Sequence, residues 1–262
     1  MLERTYNSRS TAKGIFGMGW STAFDMELLR KAQDGQLVLR YPDGTIYEFS
    51  RDAEEDGVIS YVSSMGKYVT LTESESLSIE TFDLSGAEPA SAGSSMQEAQ
   101  VRSRYTMTDK DGGEYRFDEE GKIVYIGGPN GNYVLPLYDE RTGLVSEAVT
   151  NRGIRMVFTY SEGRDADAWT VSEVSLPDGS SFRYQYSGDP SEEDVQLTSV
   201  THVGSDGGQI SWHYSYSDDG MTSLTDGKGN VYRTSYDGEG RAVSFADPEK
   251  KTLHLDISGS GS

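Results

Sequence analysis

Few residues in this sequence have the types and spacing that chemistry requires. The three histidines, His202, His213 and His254, lie in separate strand-like segments, with neither metal-ligand spacing nor a nucleophile motif beside them. No Gly-x-Ser-x-Gly turn, phosphate-binding loop or dinucleotide fingerprint occurs, because the glycines fall in turn-like segments. We therefore expect these histidines on half-exposed strand faces.

Acidic residues suggest two other kinds of site. Pairs such as Asp218-Asp219 could serve glycoside hydrolysis, but acidic pairs are expected in the turns of so acidic a chain. Residues 109–114 read Asp-Lys-Asp-Gly-Gly-Glu, which resembles part of a calcium loop without its full ligand set. We expect tight turns at both places, with no metal, no cofactor and no enzymatic activity.

Aromatic side chains could bind sugars by stacking on them. Trp20, Trp169 and Trp212 are the candidates. Around Trp212, apolar residues alternate with polar ones from Ile210 to Tyr214, which places them on one strand face. This alternation favours a core position over a sugar-binding one.

The elements that must position these residues are short strands joined by tight turns. Asp-Gly occurs nine times, and Asn130-Gly131 adds a similar pair. Both residues of such pairs tolerate positive φ, which suits the tips of β-hairpins. The flanking segments alternate with a period of two, so the pattern predicts an all-β chain of roughly 15 to 22 short antiparallel strands.

Helical signal is scarce. Residues 26–31 could form one turn and residues 94–102 a short helix, but neither segment carries a sustained apolar stripe. Residues 83–100 are rich in Ser, Ala, Gly and Glu, and we expect them to form a mobile surface insertion.

Composition excludes several classes of partner. The formal net charge of -20 repels a polyphosphate backbone, so nucleic acid is not an expected partner. The absence of cysteine excludes disulfides and thiol chemistry. No stretch approaches the roughly 18 apolar residues that a membrane-spanning helix needs.

A repeat is visible along the chain. Residues 224–230 read Leu-Thr-Asp-Gly-Lys-Gly-Asn, and residues 236–241 read Tyr-Asp-Gly-Glu-Gly-Arg after a gap of five residues. Weaker copies centre on the aromatic-Asp pairs at 117 and 138. The repeat residues singled out on this basis are Thr225, Asp226, Gly229, Asn230, Tyr236, Asp237, Gly240, Arg241, Tyr138 and Asp139. We expect each Asp to cap its own turn and each later Gly to supply positive φ.

The unit at 224–241 resembles the Thr-Asp-x-x-Gly-Asn and Tyr-Asp-x-x-Gly-Arg repeat of the RHS/YD-repeat family. The N-terminal residues 4–10, Arg-Thr-Tyr-Asn-Ser-Arg-Ser, and 14–21, Gly-Ile-Phe-Gly-Met-Gly-Trp-Ser, are similar to the segment that opens the repeat region in that family. The resemblance covers most of residues 4–250, with degenerate copies near 184 and 214. The family's self-cleavage motif has its nearest match at residues 247–250, which lack the required Gly.

The resemblance implies antiparallel hairpin repeats that form a curved, spiralling RHS-type β-sheet shell fragment. It divides the chain into an opening or capping motif at 1–30, a repeat region at 31–257 with the insertion at 83–100, and a linker at 258–262. The implied function is to encapsulate or present a C-terminal toxin domain of a bacterial polymorphic toxin. The implied partners are the rest of the parent shell and its toxin cargo, and the parent is expected to be secreted or on the bacterial cell surface.

A second hypothesis comes from the tyrosine content and the adhesive members of the family. In that case the chain is a cell-surface adhesion or carbohydrate-binding YD-repeat module with glycans as partners. Glycan binding by the isolated chain would separate this hypothesis from a passive shell.

Overall fold

The computed structural model describes residues 2–31, 35–64, 69–87, 96–165 and 167–255. Its elements are, in chain order, β1 (Thr5–Tyr6), β2 (Lys13–Gly14), β3 (Gly17–Met18), β4 (Trp20–Ser21), a 3-10 turn (Ala23–Asp25), β5 (Glu27–Arg30), β6 (Leu37–Arg40), β7 (Ile46–Glu55), β8 (Val58–Ser63), β9 (Thr70–Asp83), β10 (Glu98–Thr108), β11 (Glu114–Phe117), β12 (Ile123–Gly127), β13 (Tyr133–Tyr138), β14 (Val145–Thr150), β15 (Arg155–Glu162), β16 (Trp169–Ser175), β17 (Ser181–Tyr186), β18 (Leu197–Val203), β19 (Gln209–Ser217), β20 (Gly220–Thr225), β21 (Val231–Tyr236), β22 (Ala242–Ala246) and β23 (Thr252–His254). The all-β prediction is confirmed. The 23 strands, four of which have two residues, slightly exceed the predicted number.

The chain divides into two compact units. The first comprises Met1–Thr5, Ser21–Thr159 and Ser175–Gly179, and the second comprises Tyr6–Trp20, Tyr160–Val174 and Ser180–Ser262. In the first unit each strand from β5 to β15 pairs antiparallel with the next one. In the second unit the strands from β17 to β23 do the same.

The first unit buries one face of its sheet. In β10 every second residue from Ala99 to Met107 is buried, and the residues between are more exposed. This period of two is the pattern of an antiparallel sheet with one packed face and one wetter face. The main core cluster also takes in fully buried Phe49, Leu71 and Phe117.

The two segments with weak helical signal are mainly strand where the structure describes them, in agreement with the little helix expected. Within residues 26–31, Leu28 pairs with Leu39 across β5 and β6 and is buried in the core. Within residues 94–102, β10 begins at Glu98. Short apolar runs do not distinguish strand from helix by themselves, and tertiary burial decided for the strand here.

The predicted insertion at 83–100 has bounds that are too wide. Asp83 is still paired in β9 with Glu98 in β10, and Leu84 and Ala99 are buried in a second core cluster. These few apolar residues do not stand out in the sequence, because their neighbours are polar. Residues 88–95 lie outside the described residues.

The Asp-Gly dipeptides lie at turns, but most of these turns are not the two-residue type. At Pro42-Asp43-Gly44 the amide of Gly44 donates to the Tyr41 carbonyl, and only Gly44 has positive φ, at 87°. This is a three-residue loop in which a type I turn is followed by a left-handed glycine. Asp56-Gly57 is different, since both residues have positive φ, 50° and 77°.

Candidate functional site

The repeat tyrosines join neighbouring strands. Tyr138 at the end of β13 donates its hydroxyl to the Ile123 carbonyl in β12 at 2.6 Å. Tyr236 at the end of β21 donates to the Met221 carbonyl in β20 at 2.9 Å. Both rings are half-buried rather than fully buried, and burial raises the pKa of Tyr236, so its hydroxyl stays protonated.

Two tyrosines outside the clear motif do the same. Tyr186 donates to the Val171 carbonyl at 2.7 Å, and Tyr216 donates to the Leu197 carbonyl at 2.6 Å. These residues belong to the degenerate copies near 184 and 214. The sequence signal that could have found them is an aromatic residue at or next to the end of β11, β13, β17, β19 and β21.

Each repeat aromatic also coincides with a shift in register against the following strand. The shifts fall at Phe117, Tyr138, Tyr186, Tyr216 and Tyr236. A β-bulge of this kind bends the strand and increases its twist. The repeat aromatic is therefore a joint: its ring lies at the bulge, and in the four tyrosines its hydroxyl binds the strand before.

The aspartates of the repeat organise the turns that follow. One carboxylate oxygen of Asp237 accepts from the amides of Glu239 and Arg241 at 2.9 and 3.0 Å, and the other accepts from Arg241 Nε at 2.8 Å. The hydrogen bonds from Arg241 lower the pKa of Asp237. Gly240 has a φ of 70°, as a left-handed turn position requires.

The preceding motif turn has the same geometry. Asp226 accepts from the amides of Lys228 and Asn230 at 2.8 and 2.9 Å and from the Asn230 side chain at 2.9 Å. The Asn230 side chain lowers the pKa of Asp226, and Gly229 has a φ of 83°. Thr225 pairs with His213 and Val231 in the sheet. At Asp139 the carboxylate accepts from the amide and hydroxyl of Thr142 instead.

The residues weighed for chemistry do not converge on a site. In the calcium-like segment, Asp109 accepts from the amides of Asp111 and Gly113 at 2.9 and 2.8 Å, which is the same turn as at Asp237. Among the described residues no group of three or more His, Cys, Asp or Glu side chains could hold a metal ion. The described residues also contain no helix that is long and apolar enough to cross a bilayer.

The three tryptophans differ in exposure. Trp20 is 6% exposed and donates from Nε1 to the Tyr216 hydroxyl at 2.9 Å. Trp169 and Trp212 are half-buried. Ile210 was expected on the same apolar face as Trp212, but it is 49% exposed. Burial along β19 is greatest at Tyr214 and decreases towards Ile210.

The N-terminal segment packs on the second unit, to which its residues 6–20 belong. Phe16 is fully buried with its ring 4.8 Å from that of Tyr184, and the Trp20 ring lies 5.0 Å from that of Tyr214. The backbone is also tied, since the Met18 amide donates to the Val195 carbonyl at 2.8 Å. The segment thus covers aromatic residues of the repeat strands.

A polar cavity of about 840 Å³ lies in the first unit. Its buried carboxylate is Glu73, which binds Arg30 Nη2 at 2.7 Å, the Tyr61 hydroxyl at 2.5 Å and Arg104 Nε at 3.5 Å. Burial alone would raise the pKa of Glu73, but the bonds from Tyr61 and Arg30 and the charge of Arg104 hold it below its ordinary value. This cluster is not visible in the sequence, because its members lie far apart in the chain.

Comparison with known proteins adds distant likenesses. A family model described as a domain of unknown function, DUF6531, matches residues 1–49. No curated protein matches the chain. A crystal structure of TcdB2-TccC3-TEV is 14% identical with a TM-score of 0.37, over 86% of this chain and 12% of that chain.

Two further solved structures have similarly low sequence identities and TM-scores. The Tc holotoxin pore of Photorhabdus luminescens is 11% identical with a TM-score of 0.32, over 95% of this chain and 14% of that chain. A porin-like protein from Bacteroides uniformis is 10% identical with a TM-score of 0.32, over 92% of this chain and 94% of that chain. The chain thus spans about an eighth of the two toxin chains, and its function has to be argued from its own residues.

Proposed function

We propose that this chain is part of the structural shell of a bacterial RHS/YD-repeat polymorphic toxin, and that the shell encapsulates or presents a C-terminal toxin domain. The partners of the chain are the remainder of the shell and the toxin cargo. The parent protein is secreted or displayed on the bacterial surface, and the chain itself has no catalytic role.

One observation carries this proposal: the motif residues are used to hold strands and turns together. The Tyr138 and Tyr236 hydroxyls bind carbonyls of the preceding strands, and the Asp226 and Asp237 carboxylates bind amides of their own turns. A binding or catalytic module would direct such groups towards a ligand. Polar groups that already form hydrogen bonds within the sheet are typical of a structural repeat that extends the sheet.

The test is limited proteolysis of the longer polypeptide, with the C-terminal domain followed by mass spectrometry. We expect this domain to resist cleavage while the sheet is intact. It should become sensitive when Tyr138→Ala and Tyr186→Ala together weaken both units. Tyr232→Ala serves as a control, because the hydroxyl of Tyr232 makes no hydrogen bond to any described residue.

Two results would contradict the proposal. One is rapid cleavage of the C-terminal domain in the unaltered protein. The other is a parent polypeptide in which a cell-wall anchor replaces a further domain, since an anchor is what the adhesion hypothesis requires.

A further inference from the structure

We infer that the polar cavity of the first unit is a binding site for a sugar acid, in which arginines bind the carboxylate and neighbouring hydroxyl and amide groups bind the sugar hydroxyls. The volume of about 840 Å³ lies within the range of roughly 300 to 1,000 Å³ that small-molecule sites occupy. The proposed shell role does not depend on this ligand.

The lining of the cavity is much less acidic than the chain as a whole. Among the described residues three guanidinium groups line it, those of Arg30, Arg51 and Arg104, against two carboxylates, those of Glu73 and Glu119. The whole chain carries a formal charge of -20. An excess of arginine in one cavity of so acidic a protein favours an anion there.

Donors remain after the internal ion pairs are formed. Arg104 uses Nε for Glu73 and Nη1 for the Glu75 carbonyl, so its Nη2 makes no hydrogen bond to the part of the chain that the structure describes. Arg51 binds Glu54 through Nη2 and is 58% exposed. The remaining N–H groups of these guanidiniums can donate charge-assisted hydrogen bonds to a carboxylate.

The backbone places two of these arginines at irregularities in the sheet. The register between β7 and β8 shifts between Arg51 and Ala53. The register between β9 and β10 shifts between Ser103 and Tyr105, on either side of Arg104. Bulges redirect side chains and are common beside functional sites. Arg51 lies beside an irregularity in its own strand, whereas Arg104 keeps the alternation of β10 and lies opposite an irregularity in β9.

The remaining lining favours a hydroxylated ligand. Ser50, Gln36, Tyr61 and Tyr105 offer hydroxyl and amide groups, and among the described residues Ile59 is the one aliphatic side chain in the lining. These groups already bind within the protein, Gln36 to Ser50 and Tyr61 to Glu73, but hydroxyl and amide groups can each make further hydrogen bonds to a ligand. A sugar ring that carries a carboxylate matches both the arginines and the polar walls.

The test is calorimetric titration of the full chain with D-glucuronate, with D-glucose as a neutral probe of the same ring size. We expect saturable binding of glucuronate at least about tenfold tighter than that of glucose, since hydrogen bonds to a charged group are stronger than those to a neutral one. Equal binding of the two sugars, or no binding of glucuronate, would overturn the proposal.

Matched variants locate the site. Arg104→Gln and the more exposed Arg51→Gln should each weaken glucuronate binding by about tenfold. Arg102→Gln should not, because Arg102 lies on the same strand but is exposed and binds Gln100. Thermal melts show whether each variant is folded. If Arg104→Gln does not fold, Arg51→Gln still tests the site, because Arg51 is exposed and its substitution should leave the fold intact. An equal loss in Arg102→Gln, or tighter binding of an acetylated acidic peptide than of glucuronate, would reject a sugar-acid site.

Discussion

Arg155 is the largest side chain that is almost fully buried, and its charge is met by Glu147 and by the Met96 carbonyl at 2.8 Å. Breaking a buried ion pair from one side leaves an uncompensated charge in the interior. We expect Glu147→Ala to lower the free energy of unfolding by about 3–5 kcal/mol, as measured by denaturant titration.

A surface pair gives the control for this prediction. Glu173 lies 3.5 Å from Arg183, and both side chains are much more exposed. Glu173→Ala should change the free energy of unfolding by about 1 kcal/mol or less. Similar losses in the two variants would show that the Arg155 and Glu147 pair is not buried as described.

Glu73 makes stability depend on pH. Its pKa is lowered from the ordinary 4.5, so its contribution is present above pH 4.5 and is lost as the pH falls through the lowered value. Asp118 works in the opposite direction, since burial raises its pKa. We therefore expect Glu73→Gln to reduce the loss of stability on acidification, measured by urea melts between pH 3 and pH 6.

Glu75→Gln is the matched control, because Glu75 is exposed on the same strand. It should leave the pH dependence of the wild type unchanged. An unaltered pH dependence in Glu73→Gln would mean that Glu73 is not held ionised by Arg30 and Tyr61.

The residue-level sites differ in how well sequence predicts them. The turn roles of Asp226 and Asp237 follow from local spacing, because each carboxylate binds amides two and four residues later. The cavity cluster does not, since Arg30 and Glu73 are 43 residues apart and meet only through the pairing of strands. A single sequence gives no register between such distant segments.

At the scale of elements, the N-terminal segment depends on a close backbone approach. Gly17 has a φ of 90°, and a Cβ there would lie 2.7 Å from the Val195 carbonyl oxygen. Gly207 has a similar φ of 83° but nothing within 4 Å of the added atom. Ala at either position costs about 1–2 kcal/mol in left-handed backbone strain. Only in Gly17→Ala would the added Cβ also collide with the Val195 carbonyl oxygen.

We therefore expect Gly17→Ala to lower the free energy of unfolding clearly more than Gly207→Ala in denaturant melts. It should also increase the exposure of Trp20, which fluorescence quenching would detect. Equal losses in the two variants would show that the segment does not pack against Val195.

The positions of the hairpins were easier to predict from the sequence than the types of their turns. Asp-Gly pairs and alternating apolar residues were sufficient to predict strands and turns, because both signals are local. The turn type was wrong at Asp43-Gly44, where the left-handed residue follows a type I turn. The turn at Pro248 contains no glycine, yet Lys250 takes the left-handed position with a φ of 63° in the same kind of turn.

At the scale of the whole molecule, the same joint recurs in both units. Tyr138 represents it in the first unit, and Tyr186, Tyr216 and Tyr236 represent it in the second. The Tyr-Asp pair predicted the first and last of these tyrosines. The two between them escaped because each is followed by Ser where Tyr138 and Tyr236 are followed by Asp.

The most direct test of the structural role is the removal of single hydroxyl groups from repeat tyrosines. Tyr138→Phe and Tyr186→Phe each delete a donor to a strand carbonyl and keep the ring. Each should lower the free energy of unfolding by about 1 kcal/mol in denaturant titration, while Tyr232→Phe should change it by less than about 0.5 kcal/mol. Wild-type stability in both repeat variants would contradict the account, because their hydroxyls would then not hold the strands together.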